Sequence, residues 1–304
     1  MRWKGRRQSS NVEDRRGMGG YDGAFGGGVR GGSRVRRGRK GGIGSLIIMA
    51  LVVMFFGKNL GLNFSDIVGG GGLGSVVQSP QPSSAPRTAQ SQAQQEEIVE
   101  FVKVILAETE DTWEQIFARS GQRYRAPKLV LFDDRTPTAC GTGQAASGPF
   151  YCPGDQKIYI DLDFMGELQR MGAQGDFAFA YVIAHEVGHH IQTVMGISAK
   201  VHRQKRQISK TQANALQVKM ELQADCLAGL WANHTERRNA ILEEGDIQEG
   251  INAAAAVGDD RISGGRLSRN HYTHGSSKER MDWFLRGFKS GDINNCDTFS
   301  QARF

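Results

Sequence analysis

Negative charge is nearly missing from the first 42 residues. They hold twelve Lys and Arg against three Asp and Glu, a net of +9, whereas the whole chain carries +6, so residues 43–304 sum to −3. The basicity of the chain therefore belongs to its leading segment, and a mildly acidic remainder argues against a nucleic-acid-binding catalytic domain. The four cysteines form no CxxC, which argues against a cysteine zinc site. No internal repeat is present, so the chain is not a repeat array. A long hydrophobic run is missing too. The apolar run at 43–56 sits in a charge-free window from Gly41 to Gly57, short of the ~20 residues a membrane-spanning helix normally needs.

That run, IGSLIIMALVVMFF, is closed by Lys58. The lysine can snorkel, and 59–64 can lengthen the helix. A leader of about 40 residues without an A-x-A site is not that of a cleaved signal peptide. The reading is an uncleaved single-pass anchor at 43–64, in contact with membrane lipid, its basic flank in the cytoplasm and everything after it outside. The Arg-rich stretch VRGGSRVRRGRKGG also fits an RNA-binding segment. An apolar run follows it at once, which favours a charge anchor. An even number of cysteines in an exported domain suggests two disulfides. The short Cys140–Cys152 loop favours that pair and leaves Cys226 with Cys296. Four reduced thiols are the alternative, and an inward-facing domain would require them.

Residues 1–42 read as a disordered Gly/Arg-rich tail, 43–64 as the anchor, 65–95 as a flexible Gly/Ser/Pro/Gln linker, and 96–304 as one domain large enough for a proper core. Apolar residues at Ile98, Phe101, Val102, Ile105, Trp113, Ile116 and Phe117 have helical spacing over 96–120. KLVLF at 128–132 and KIYID at 157–161 read as short strands. Helices are expected at 164–171, 177–195, within 201–233, around 246–257 and at 278–290. The fold class is α+β, mostly helical with a small sheet.

The chemistry is concentrated in DFAFAYVIAHEVGHHIQTVM, where Asp176 can cap a helix and Gly196 can end it. His185 and His189 are four apart, one turn along one face, so both imidazoles can reach one zinc ion. Glu186 lies beside the first histidine and can reach a water at the metal without ligating it, which is the logic of HExxH. The preceding turns are almost wholly apolar, so the helix is buried, and a buried polar cluster needs a partner. His190 is out of phase with the pair and reads as a support for the ligands or as merely structural. A catalytic zinc takes three protein ligands. No distal histidine follows at 195–199, but Glu221 and Asp225, four apart in MELQADCLAGLWA, share a face. Small Ala224, Ala228 and Ala232 would let that helix approach closely. Glu221 then ligates, while Asp225 orients a ligand histidine.

HEVGHH followed by ELQADCLAGLWA resembles the bacterial neutral zinc metallopeptidases, of the gluzincin class, in which a Glu within E-x-x-A-D on a second helix completes HExxH. The resemblance covers the whole chain. It implies Zn2+ and a zincin-like fold, and it implies no substrate; the anchor reading places such a bacterial protein at the inner (cytoplasmic) membrane. YTHGSSKER is similar to the T-H-P-x-x-x-x-R stretch of membrane-associated gluzincins, with Gly275 where those have Pro. By that resemblance His274 or Arg280 faces the site and stabilises the developing oxyanion. The reaction expected is hydrolysis of a protein or peptide substrate, with KIYID as the edge strand that receives it. The rival is a catalytically inactive, membrane-tethered zinc-binding scaffold. A scaffold has no use for the non-ligating Glu186, which favours the enzyme.

Overall fold

The structure is a computed structural model, and it describes residues 1–18 and 89–300. The expected anchor at 43–64, and the expected linker up to 88, lie outside the described residues. Among the described residues no helix is long and apolar enough to cross a membrane.

The body is α+β. Strand β1 (Val12–Asp14) comes before helix α1 (Ala89–Arg119), which starts at Ala89 rather than at 96. Strands β2 (Lys128–Leu131), β3 (Arg135–Thr138), β4 (Gly141–Gln144), β5 (Phe150–Cys152) and β6 (Lys157–Ile160) follow. Then come α2 (Phe164–Arg170), α3 (Asp176–Val194), α4 (Ile197–Lys205), α5 (Lys210–Asn239), α6 (Asp246–Ala256), the short α7 (Asp259–Ile262) and α8 (Ser277–Ser290). The single long helix expected within 201–233 is thus two. Ser209 makes a capping box with Gln212 and restarts the helix at Lys210.

The main sheet has the order β1-β2-β6-β5, with β1, β2 and β6 parallel and β5 antiparallel to β6. Leu129, Leu131, Ile158 and Ile160 point into the helical core, while Val130, Phe132 and Tyr159 pack with Cys152 on the other face. Strands buried on both faces read as continuous apolar runs, which explains why these two were legible. KIYID is an inner strand, paired on both sides, so it is not the edge expected for substrate. The edge nearer α3 is β5. Its Cys152 is bonded to Cys140 beside the β3–β4 hairpin, and Cys226 of α5 is bonded to Cys296.

The disordered tail expected over 1–42 is corrected for residues 1–18, which are built into the domain. Trp3 is buried, edge-on to Phe101 of α1 at 5.3 Å, and Phe101 stacks in turn on Phe179 of α3. The Ser9 amide donates to the Lys103 carbonyl at 2.9 Å, and the Leu129 amide donates to that of Asn11 at 2.8 Å. Arginines near the start of the leading segment are used inside the fold, while the stretch VRGGSRVRRGRKGG taken for a membrane flank lies outside the described residues. Arg7 reaches Asp111 at 2.6 Å and Glu110 at 3.1 Å, and Arg6 donates to the Asn239 carbonyl at 2.9 Å. Glu110 of α1 is buried and takes hydrogen bonds from Ser9 and Asn11. Without the leading segment that carboxylate would lose most of its partners, a costly state for a buried charge.

Replacing Trp3 with Ala should lower the stability of the full chain by about 3 kcal/mol, the usual cost of truncating a buried aromatic. Urea unfolding checks this, and a tail residue would show no change. Glu13 adds a pH signature. Burial pushes its carboxyl up, but hydrogen bonds from Lys157, Arg15 and Lys128 outweigh it and hold the pKa at about 2 against the ordinary 4.5. A carboxyl depressed on folding stabilises above its unfolded pKa and loses that contribution as pH falls through the folded value. Glu13→Gln should therefore flatten the stability–pH curve between pH 4.5 and about 2, read as the difference in urea midpoint from wild type.

Candidate metal centre

Helix α3 carries the HExxH stretch through the centre of the body. Its N-cap is Gly175 (φ 95°), not Asp176, and a Cβ there would meet the Glu249 carboxylate at 1.9 Å. Glu249, from α6, does the capping by accepting the Phe177 amide at 3.0 Å. Asp176 instead faces the Met1 ammonium at 3.0 Å, with Asp246 at 3.4 Å. The carboxylates of Asp176, Asp246 and Glu249 lie close enough together to suggest a metal site. A cation of the chain itself already stands there. At the other end Gly196 (φ 74°) terminates the helix as expected.

Helix α5 crosses α3 at backbone distance. A Cβ on Gly188 would lie 3.1 Å from the Ala224 Cα and carbonyl oxygen, so glycine on one helix and alanine on the other set the spacing. This crossing brings His185, His189 and Glu221 together, with one ligand atom of each within 4.8 Å of the others. Glu221 Oε2 is 3.3 Å from His185 Nε2 and 3.5 Å from His189 Nε2. The other Glu221 oxygen accepts from Gln217 at 2.7 Å.

Both far ring nitrogens are spoken for. His185 Nδ1 donates to Asp225 Oδ1 at 2.8 Å, and His189 Nδ1 donates to Gln192 Oε1 at 2.9 Å. The Gln192 amide cannot turn round, because its nitrogen donates to the Met220 carbonyl and to Gln223. With Nδ1 protonated, each neutral imidazole aims an Nε2 lone pair at a carboxylate oxygen. Lone pairs so arranged repel unless a proton or a cation lies between them. The donor set of two imidazoles and one carboxylate fits zinc. Burial works against protonating His189, yet the Glu221 charge and hydrogen bond raise its pKa to about 9. Burial likewise pushes Glu221 up, and His189, His185 and more weakly His274 overcome it and hold Glu221 well below the carboxylate range.

Asp225 is completely buried. Beyond His185 it accepts from the Tyr181 hydroxyl and, on its other oxygen, from Arg280 Nε at 2.8 Å. Burial raises its pKa, but Arg280 and His185 bring it to about 2. Arg280 itself is buried and also donates to the Val257 carbonyl. Of His274 and Arg280, either of which the resemblance put facing the site, Arg280 does not face it openly: its guanidinium is committed to Asp225 and stands behind His185. His274 is half exposed on the loop before α8, with Nδ1 at 3.1 Å from Asp259 Oδ1. Asp259 also accepts the amides of Thr273, His274 and Gly275, which fixes that loop. His190 is tied away from the centre. Its Nε2 donates to the Arg125 carbonyl at 2.7 Å and its Nδ1 accepts from Tyr151 at 3.1 Å. Glu186 is buried beside His185 and makes no hydrogen bond among the described residues.

Gln192, Tyr181 and Asp259 were missed from the sequence. Gln192 and Tyr181 were available to helix spacing, three residues after His189 and four before His185. Asp259 had no local signal, since its partner is fifteen residues on.

Two histidines on one helix turn, completed by a glutamate from a crossing helix, make up a gluzincin-type donor set. The comparison with known proteins agrees: residues 1–299 match the family described as "Putative neutral zinc metallopeptidase", and the chain belongs to that family. It is 44% identical over 307 residues to the Uncharacterized protein YpfJ of Escherichia coli (strain K12), covering 99% of this chain and 100% of that one. It is 41% identical over 193 residues to the Uncharacterized protein Rv2575 of Mycobacterium tuberculosis (strain ATCC 25618 / H37Rv), covering 59% of this chain and 64% of that one. No solved structure gives a significant match.

Glu221→Gln should remove most of the zinc from the purified full chain, measured by elemental analysis against wild type. Asp225→Asn should keep the ligands but weaken zinc affinity by about 10–100-fold, the usual effect of losing an orienting carboxylate. Competition with a chelator of known affinity reads this directly.

Proposed function

We propose that this chain is a zinc-dependent metallopeptidase that hydrolyses peptide bonds in protein or peptide substrates. In this reading His185, His189 and Glu221 hold the metal and Glu186 is the general base. The observation that supports it most is Glu186 itself. It is a buried carboxylate directly after the first histidine, outside the group of converging ligand atoms and without a hydrogen bond among the described residues. A site that only held metal would not need it.

When bound, zinc supplies Lewis acidity toward the scissile carbonyl and lowers the pKa of the attacking water. Glu186 takes the proton of that water on its carboxylate and later passes it to the leaving amine. Asp225 keeps the proton on His185 Nδ1 and Gln192 keeps it on His189 Nδ1, so both Nε2 lone pairs stay turned inward. Arg280 balances the charge of Asp225 without touching the reacting atoms. His274 stands at the rim, positioned by Asp259, with Nε2 free of hydrogen bonds among the described residues. From there it donates to the oxyanion that develops on the substrate. The outer edge of β5 is the strand on which an extended peptide pairs, main chain to main chain.

Glu186→Gln is nearly isosteric and removes no ligand. Zinc content and melting temperature should stay near wild type, while cleavage of casein or a peptide library falls by about 10²–10⁴-fold, the usual worth of a general base. If the wild-type protein holds zinc and cleaves nothing in a broad library, the inactive zinc scaffold is the better account.

A further inference from the structure

The leading segment and the catalytic body are joined by chemistry that only works if both lie in one compartment. Glu13 of β1 is bonded to Lys157 of β6 at 3.0 Å and to Lys128 of β2 at 3.3 Å. Val12, Glu13 and Asp14 are in parallel register with Leu129, Val130 and Leu131. Glu110, Glu108 and Asp111 of α1 receive Arg6 and Arg7. Trp3 is 7% exposed within the main core. The contacts run from residue 1 to residue 17, and the family match covers these residues too. Such contacts, with buried carboxylates on one side and arginines on the other, belong to a folded interior and not to a passing encounter.

A chain whose two parts belong to one folded body leaves that body and returns to it on the same face of any membrane. It crosses a bilayer an even number of times in between, or not at all. Two helical crossings need about 40 apolar residues. Between Met18 and Ala89 the apolar run is 43–56, inside the charge-free window Gly41–Gly57, which is too little for two. We infer that residues 1–18 lie in the same compartment as the metal centre, and that the chain makes no net crossing of a membrane between them. The single-pass arrangement with a cytoplasmic leader and an exported domain, expected from the positive charge beside the apolar run, is incompatible with this. The charge rule was applied to arginines of which several are neutralised inside the fold.

The test uses the full chain and does not depend on peptidase activity, so it can fail or succeed independently of the proposed function. Single cysteines are placed at exposed Ser10 and Lys289 as Ser10→Cys and Lys289→Cys. Spheroplasts are treated with a membrane-impermeant maleimide before and after lysis. The expected result is that both positions behave alike, labelled together in intact spheroplasts or together only after lysis. Labelling of one position in intact spheroplasts and of the other only after lysis overturns the inference. A charge exchange tests the docking itself. Glu13→Lys should lower the melting temperature, and Lys157→Glu in the same chain should recover part of the loss. A melting temperature indifferent to Glu13→Lys would show that β1 is not held on the sheet, and would equally overturn it.

Discussion

The site depends on how closely two helices can approach. Gly188 and Ala224 let the backbones of α3 and α5 touch, and from that contact the positions of His185, His189, Glu221 and Asp225 follow by helical spacing alone. A side chain at Gly188 would need the second helix to give way at Ala224. The same economy holds on the far side of α5, where a Cβ at Gly287 of α8 would lie 1.9 Å from the Cys226 carbonyl oxygen. Helix α8 is thereby close enough for Arg280 to reach Asp225. Three helices packed through small residues thus carry a relay of charge, from Arg280 to Asp225 to His185 to Glu221, buried from end to end.

The metal helix and its partner were legible because their signals are local. Apolar periodicity, a glycine stop and pairs of polar residues four apart lie within one or two turns of each other. Glu221 and Asp225 stood out for the same reason: two acids on a helix otherwise too apolar to be exposed. The resemblance put His274 or Arg280 facing the site, and nothing local to Arg280 marks the carboxylate that holds it behind His185, because that carboxylate is 55 residues away in sequence. The edge strand was misplaced because strand order is a long-range property. KIYID has the stronger β pattern, yet it lies inside the sheet, and the less conspicuous Phe150–Cys152 forms the rim.

Residues 1–18 were the largest misreading. A strand of three residues has no period to detect, and its partners are more than 90 residues distant. Arginine-rich sequence beside glycine-rich sequence has the composition of a disordered tail. What distinguishes this segment is Trp3 and the short NVED stretch, which make sense only once the acids of α1 and the lysines of β2 and β6 are in view. Composition averaged over 42 residues hid residues 1–18, which hold only two of the segment's thirteen glycines.

The two rims of the main sheet are treated differently. Both outer strands are three residues long, but on one side Glu13, Asp14, Arg15 and Arg16 crowd β1 with charge. Short, charged outer strands discourage another chain from adding to a sheet. On the other side β5 carries Phe150 and Tyr151 and no charged residue. A peptidase of the kind proposed meets sticky strands of every kind, those of its own copies included. With the β1 rim closed to it, a stray strand that pairs with this sheet is directed to β5, the strand proposed to receive substrate.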